Sequence, residues 1–148
     1  MDSREQILKT IGKNKPALLD LPTIDIDAVI SYPDLVEQYR ETLAKIGGFL
    51  ELPESEEAFQ DLINNATEKK DFVINTLTLS AEEKQKVQAM DSYTLESLDV
   101  AVVKGKVAVA ENSCIWVEEQ EMVNRLIPFI TQHLILVVEK EHLLPTMH

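Results

Sequence analysis

A chain of 148 residues with 45% apolar side chains is sized for one globular core, and ten Gly and Pro residues together are too few for a disordered chain. The 26 acidic side chains against 14 basic ones leave a net charge of -12, which excludes any affinity built on phosphate neutralisation, and with it nucleic acid as a partner. The single cysteine, Cys114, excludes an intrachain disulfide, and no apolar run approaches the roughly 18 residues of a membrane span. The opening MDSREQILKTIGKNK lacks the apolar stretch of a signal peptide, so a cytoplasmic protein is expected.

Along the chain, Ser3 caps a first helix through about residue 11, closed by Gly12, with Ile7, Leu8 and Ile11 on one side. PALLDLP, residues 16–22, is a connector, so an N-terminal helical segment spans about 1–22. Residues 25–31 are ambiguous, because Ile24, Ile26 and Ala28 alternate over too short a run. Pro33 opens a helix over 34–45 that turns Leu35, Val36, Tyr39, Leu43 and Ile46 inward. GGFLEL predicts a short strand over 48–52. Residues 54–67 predict a helix using Ala58, Phe59, Leu62 and Ile63, and DFVINTL predicts a strand over 71–77. This alternation of helix and strand predicts crossovers onto a mostly parallel sheet.

SAEEKQKVQAM reads as a helix with a capping box between Ser80 and Glu83. DSYTLESL is a turn or short helical piece. DVAVVKGKVAVAE mirrors itself about Lys104-Gly105, so 100–103 and 107–110 predict an antiparallel hairpin. CIWVEE is the third strand of that group. Residues 121–132 predict a helix that Pro128 can break, and 134–139 a buried strand. The expected class is α/β, a mixed, mostly parallel sheet with helices on both faces, in a single domain over 1–148. Such a sheet is usually covered by another crossover beyond its last strand, so the chain is expected to be incomplete at its C-terminal end.

Neither the dinucleotide fingerprint GxGxxG nor the phosphate loop GxxxxGK[ST] is present, and Gly47-Gly48 follows a helix, where it reads as a helix stop. The metal-binding residue types Cys114, His133, His142 and His148 form no close pair, and one thiolate cannot supply an iron–sulfur cluster, so neither a metal nor a cofactor is expected. Glu111 shares the parity of Val107 and Val109 at a strand end, where a carboxylate either faces a ligand crevice or is solvated. Asn112-Ser113 is a turn pair or part of a ligand loop. Cys114 is expected to be a buried, inert thiol ahead of a nucleophile, and Trp116 to lie in the core or on a covered sheet face with its N–H partnered. Arg125, one of three arginines, sits among Glu118, Glu119 and Glu121. It reads as a carboxylate clamp within the fold or as a holder of an anionic ligand. His133 reads as a cap of a helix C-terminus or as a ligand contact. Glu111 to Ser113 are expected to face a crevice shared with Arg125 or His133, with Arg125 and Glu111 as an ion pair.

VVKGKVAVAENSCIWVEE and NRLIPFITQHLILVVEKEHLLPTMH together resemble the LUD family of lactate-utilisation proteins, in the short form of the C subunit. The likeness covers 99–148, while 1–98 follow the family in the order of elements. The family's usual loop is Ala-Glu-Thr-Gly-Thr: Ala110 and Glu111 match its start, and Asn112, Ser113 and Cys114 stand where Thr, Gly and Thr would be. Arg125, Pro128 and His133 fall on the family's arginine, proline and histidine, and residues 145–148 resemble the segment that leads into a further helix. The resemblance implies a NagB/RpiA/CoA transferase-like α/β fold. It implies an accessory or ligand-binding role in lactate or organic-acid utilisation beside iron–sulfur partner subunits, as a monomer or homo-oligomer. Two alternatives stay open. One is an independent enzyme on a small phosphorylated or CoA-linked substrate, with Glu111 as nucleophile or base by analogy with the glutamate of CoA transferases. The other is a degenerate family member with a structural or regulatory role.

Overall fold

The computed structural model describes residues 3–16, 19–20, 22–23 and 30–147. The ambiguous stretch around Ile24, Ile26 and Ala28, and His148, lie outside the described residues. Helix α1 (Ser3–Lys13) runs through Gly12 and buries none of its residues. Helix α2 (Leu35–Lys45) starts where the Asp34 carboxylate accepts the N–H groups of Val36 and Glu37, and it ends at Gly47, whose φ of +83° is the left-handed stop glycine accepts without strain. Helix α3 (Glu56–Thr67) is capped by the Ser55 hydroxyl. Between them 48–52 forms no strand, contrary to expectation: Leu50 packs singly on the Tyr39 cluster while Phe49 is 92% exposed, and no strand lies alongside to pair with the segment among the described residues.

Strand β1 (Val73–Asn75) is followed by α4 (Ala81–Gln88), opened by the expected Ser80–Glu83 capping box, and by the short α5 (Ser92–Leu95). Then come β2 (Val100–Lys104), β3 (Val107–Val109), β4 (Ile115–Trp116), α6 (Glu119–Met122), α7 (Ile127–Ile130), β5 (His133–Val137), a single 3-10 turn at Lys140–His142, and β6 (Leu143–Leu144). Pro128 lies in the first turn of α7, so the expected helix over 121–132 is two short ones.

The fold is mixed α/β, with two three-stranded sheets ordered β1-β2-β5 and β4-β3-β6. The first is wholly parallel, with Val73 opposite Val100 and Val100 opposite His133. Its central strand reads Val-Ala-Val-Val because both faces are covered. Ala101 and Val103 pack with Val87, Leu95, Leu98 and Ile127 on the side of α4, α5 and α7, and Val100 and Val102 pack with Phe59 and Ile63 of α3 on the other. A third cluster joins Tyr39 of α2 to Ala108 and Ala110. Each valine buried this fully contributes about 1.5–3 kcal/mol.

The predicted hairpin about Lys104-Gly105 does not form. β2 and β3 belong to different sheets and do not pair, and β3 pairs antiparallel with β4 and parallel with β6. β5 and β6 flank them in the same order, with two more residues on the outer chain, which makes a 3-10 turn at Lys140–His142 between them. Gly105 serves close approach. A Cβ there would lie 2.4 Å from Cγ2 of Ile115 and 2.7 Å from Cγ2 of Val138, and its N–H donates to the Val137 carbonyl at 2.8 Å.

Gly105→Ala is therefore expected to destabilise the protein by about 1–3 kcal/mol through overpacking, read as a lower midpoint in urea unfolding with an unchanged slope. Gly12→Ala, with nothing within 4 Å of its Cβ and a helical backbone, is expected to raise helix content without that loss.

Candidate functional site

The loop that carries Glu111, Asn112 and Ser113 is the tip of the β3–β4 hairpin, which closes with the Val109 N–H donating to the Cys114 carbonyl at 2.9 Å. It lies beyond the carboxyl end of β3, and the chain after β6 flanks it: Ala110 donates to Leu144 and Glu111 to Pro145 through their backbone N–H groups. The Asn112 carbonyl side chain accepts the Cys114 N–H at 3.0 Å, an Asx turn that Asn forms readily. Its amide reaches the Met147 sulfur at 3.4 Å. Ser113 is buried and takes φ of +53°, the left-handed region. Its carbonyl accepts the Tyr39 phenol at 3.4 Å, which ties the hairpin tip to α2. Among the described residues the Glu111 carboxylate has no side-chain partner, and it is half-buried. Cys114 is exposed rather than buried, because the tip projects past the sheet.

Arg125 is elsewhere. Its guanidinium pairs with Glu119 at 2.6 Å, not with Glu111, and both side chains are largely exposed, so the pair adds about 1 kcal/mol at most. Together with Lys84, Gln88, Trp116, Glu118 and Asn124 it lines an open crevice between α4 and the stretch after β4. Trp116 is 68% exposed at that crevice, where a place in the core or on a covered sheet face was expected. The second sheet carries α2 on the face of Ile115 and Ala108, and Trp116, the next residue in β4, points away from that cover. His133 opens β5 opposite Val100, exposed, and its backbone N–H rather than its ring is the group in use, donating to the Asp99 carbonyl at 2.9 Å. Val100, at the register of His133, begins β2, whereas Glu111 lies beyond the far end of β3. The structure thus brings Glu111, Asn112 and Ser113 together and leaves Arg125 and His133 at two other places.

Three features were missed in the sequence. Asn124 is buried, and its amide donates to the carbonyls of Val87 at 3.1 Å and Met90 at 3.0 Å, satisfying groups left open at the end of α4, while its oxygen accepts the Leu126 N–H. Asn before Arg has no pattern that announces this, since its partners lie more than 30 residues away. Beside it, Val123 has φ of +62°, and the Asn124 N–H donates to the Met122 carbonyl at 2.6 Å, a γ-turn that is strained for a β-branched residue. Glu139, Glu141 and His142 each bring one ligand atom to within 4.8 Å of the others on the exposed 3-10 turn, where Lys104 already engages Glu139 at 3.1 Å. Lys104 is the main reason the Glu139 carboxyl sits below the usual range. No described helix is long and apolar enough to cross a membrane.

Comparison of the chain with protein-family models, with curated proteins and with solved structures gives no match.

A left-handed backbone costs an ordinary residue about 1–2 kcal/mol and a β-branched one more. Ser113→Val is expected to destabilise by about 1–3 kcal/mol, whereas Ser113→Gly stays within about 1 kcal/mol of the parent, as measured by chemical denaturation. Burial, followed by the Cys114 thiolate, raises the Tyr39 phenol above its ordinary pKa of 10.0. The folded state therefore keeps a proton that the unfolded state gives up, so stability holds below pH ~10 and declines as pH rises through the folded pKa. Tyr39→Phe is expected to flatten that alkaline decline relative to the parent, in denaturation curves taken from neutral to strongly alkaline pH.

Proposed function

We propose that this chain is a LUD-type, NagB/RpiA/CoA transferase-like domain acting as a ligand-binding accessory subunit in organic-acid oxidation, with iron–sulfur partners supplying the electron chemistry. The observation that carries this reading is the backbone of Ser113. The family's loop places glycine there, and Ser113 holds φ of +53°, the conformation a glycine would supply. The departure in residue type is thus compatible with a loop shaped for glycine. Ala110 and Glu111 precede it at the carboxyl end of a strand paired in parallel with β6, the end at which α/β sheets take their ligands. The Glu111 side chain stands without a partner among the described residues, available to a donor group on a bound molecule. A single thiol cannot hold a cluster, so electrons must pass through another subunit. A cytoplasmic setting follows from the same reading.

The test is anaerobic, low-salt purification of the tagged, native-length protein from its own cell, followed by calorimetry with lactate, pyruvate, CoA and nucleotides. An iron–sulfur protein is expected to co-purify, and one of these compounds to bind stoichiometrically and to bind Ser113→Val about tenfold more weakly or less. A protein that emerges alone and binds none of them defeats the proposal. A covalent adduct on Glu111 after incubation with short acyl-CoA donors, seen by intact mass, replaces the accessory role with the transferase alternative.

A further inference from the structure

Helix α1 carries Arg4, Lys9 and Lys13 against Glu5, a net charge of +2 on a chain of -12, so the remaining residues hold -14. Its apolar residues Ile7, Leu8 and Ile11 form one stripe, all more than half exposed, and none of the helix is buried on the body it belongs to. Arg4 lies one turn before Leu8, at the end of that stripe. The body offers a surface of matching character. Ile46, Phe49 and Leu52 are exposed, Phe49 almost completely, and residues 46–57 contain Glu51, Glu54, Glu56 and Glu57 with no basic residue. This segment is held firmly. Gly47 ends α2 in the left-handed region, the Gly48 N–H donates to Leu43, and Arg40 donates to the Leu50 carbonyl at 3.3 Å. Phe49 is therefore presented outward by a hydrogen-bonded backbone.

We infer that α1 of one copy docks on the Phe49 surface of a second copy, with Ile7, Leu8 and Ile11 covering Phe49 and Ile46, and Arg4 facing the acidic rim. Charge complementarity selects the partner: a basic helix finds its acidic, apolar surface on this same chain. The 21 residues between α1 and α2, 14–34, give the helix the length to reach a neighbour, and two reciprocal contacts close a symmetric dimer. A lipid surface fits less well, because three apolar side chains are few for interfacial binding and a chain of -12 is repelled by anionic lipid.

Sedimentation velocity on the full chain, from about 1 μM to about 1 mM, is expected to show a monomer–dimer equilibrium. The dimer should weaken as NaCl rises from about 0.05 M to about 0.5 M. Ile7→Gln and Phe49→Ser, both at exposed positions, are each expected to weaken self-association about tenfold or more with unchanged circular dichroism. An equimolar mixture of the two variants is expected to associate more tightly than either alone, since one intact helix then meets one intact surface. A parent that stays monomeric throughout overturns the inference. So does a dimer that either variant leaves intact, or a mixture that shows no recovery. Ile7-dependent co-sedimentation of the monomer with phosphatidylserine vesicles overturns it in favour of a membrane.

Discussion

Between Val100 and Lys104 the backbone of β2 bonds to a parallel strand on each side, and helices close over both of its faces. No atom of Val102 or Val103 reaches water. That double enclosure fixes most of the rest. It requires β1 and β5 to lie in parallel, which a tight turn cannot arrange, so the chain must travel through α4, α5, α6 and α7 between them. It requires small or branched apolar residues at every position of β2, with none of the inside–outside alternation of a half-exposed strand. It also makes the ends of β2 the places where polar residues return: Asp99, whose carboxylate accepts the N–H groups of Asp71 and Phe72, and Lys104, paired with Glu139.

Past Lys104 the same pair of chains continues with less cover. Gly105 allows Ile115 and Val138 to close on the backbone. The second sheet has α2 on one face, so Ala108 and Ile115 turn inward while Trp116 stays in solvent. The hairpin tip at Glu111 to Ser113 is thus carried on a thinner part of the molecule. It is anchored by Tyr39 from α2 and by the strand and segment of 144–145. Tethers from two directions let Ser113 keep a backbone conformation that an isolated turn would release.

How much of this could be read in the sequence depended on the distance over which each signal acts. Ser80 with Glu83 marks a helix start because a cap bonds within three residues, and α4 begins there; Pro33 and apolar spacing put α2 and α3 close to where they lie, while their caps, Asp34 and Ser55, emerge from the structure. β1, β2 and β5 stand out by composition, but only β2 is enclosed: β5, expected to be a buried strand, is half-exposed, with Leu134 at the surface, because it pairs on one side only among the described residues. The partner of a strand is not local. Valines at 100, 102, 107 and 109 around Lys104-Gly105 look the same whether the glycine turns the chain or admits a neighbour's side chain, and only Ile115 and Val138 decide it. Trp116 and Cys114 were misplaced because parity says which residues share a face but not whether anything covers that face. The candidate loop was legible as a polar tip after an apolar strand. Its relation to Arg125 and His133 was not, because nearness in sequence after a hairpin and two short helices says little about nearness in space.

The parallel ladders have a consequence for the time it takes this chain to reach its structure. Val73 meets Val100 at a separation of 100 − 73 = 27 residues, Val100 meets His133 at 133 − 100 = 33, and Ala108 meets Leu143 at 143 − 108 = 35. None of these contacts is rewarded until a loop of that size has closed, so the entropic cost precedes the gain each time. The capped helices, 8 to 12 residues long, are marginal on their own and have no face to bury until β2 lies between two neighbours. Folding therefore waits on one late, concerted event, the capture of β2 by strands from both sides. Until it happens, Val100 to Val103 are the segment of the chain most open to the wrong strand.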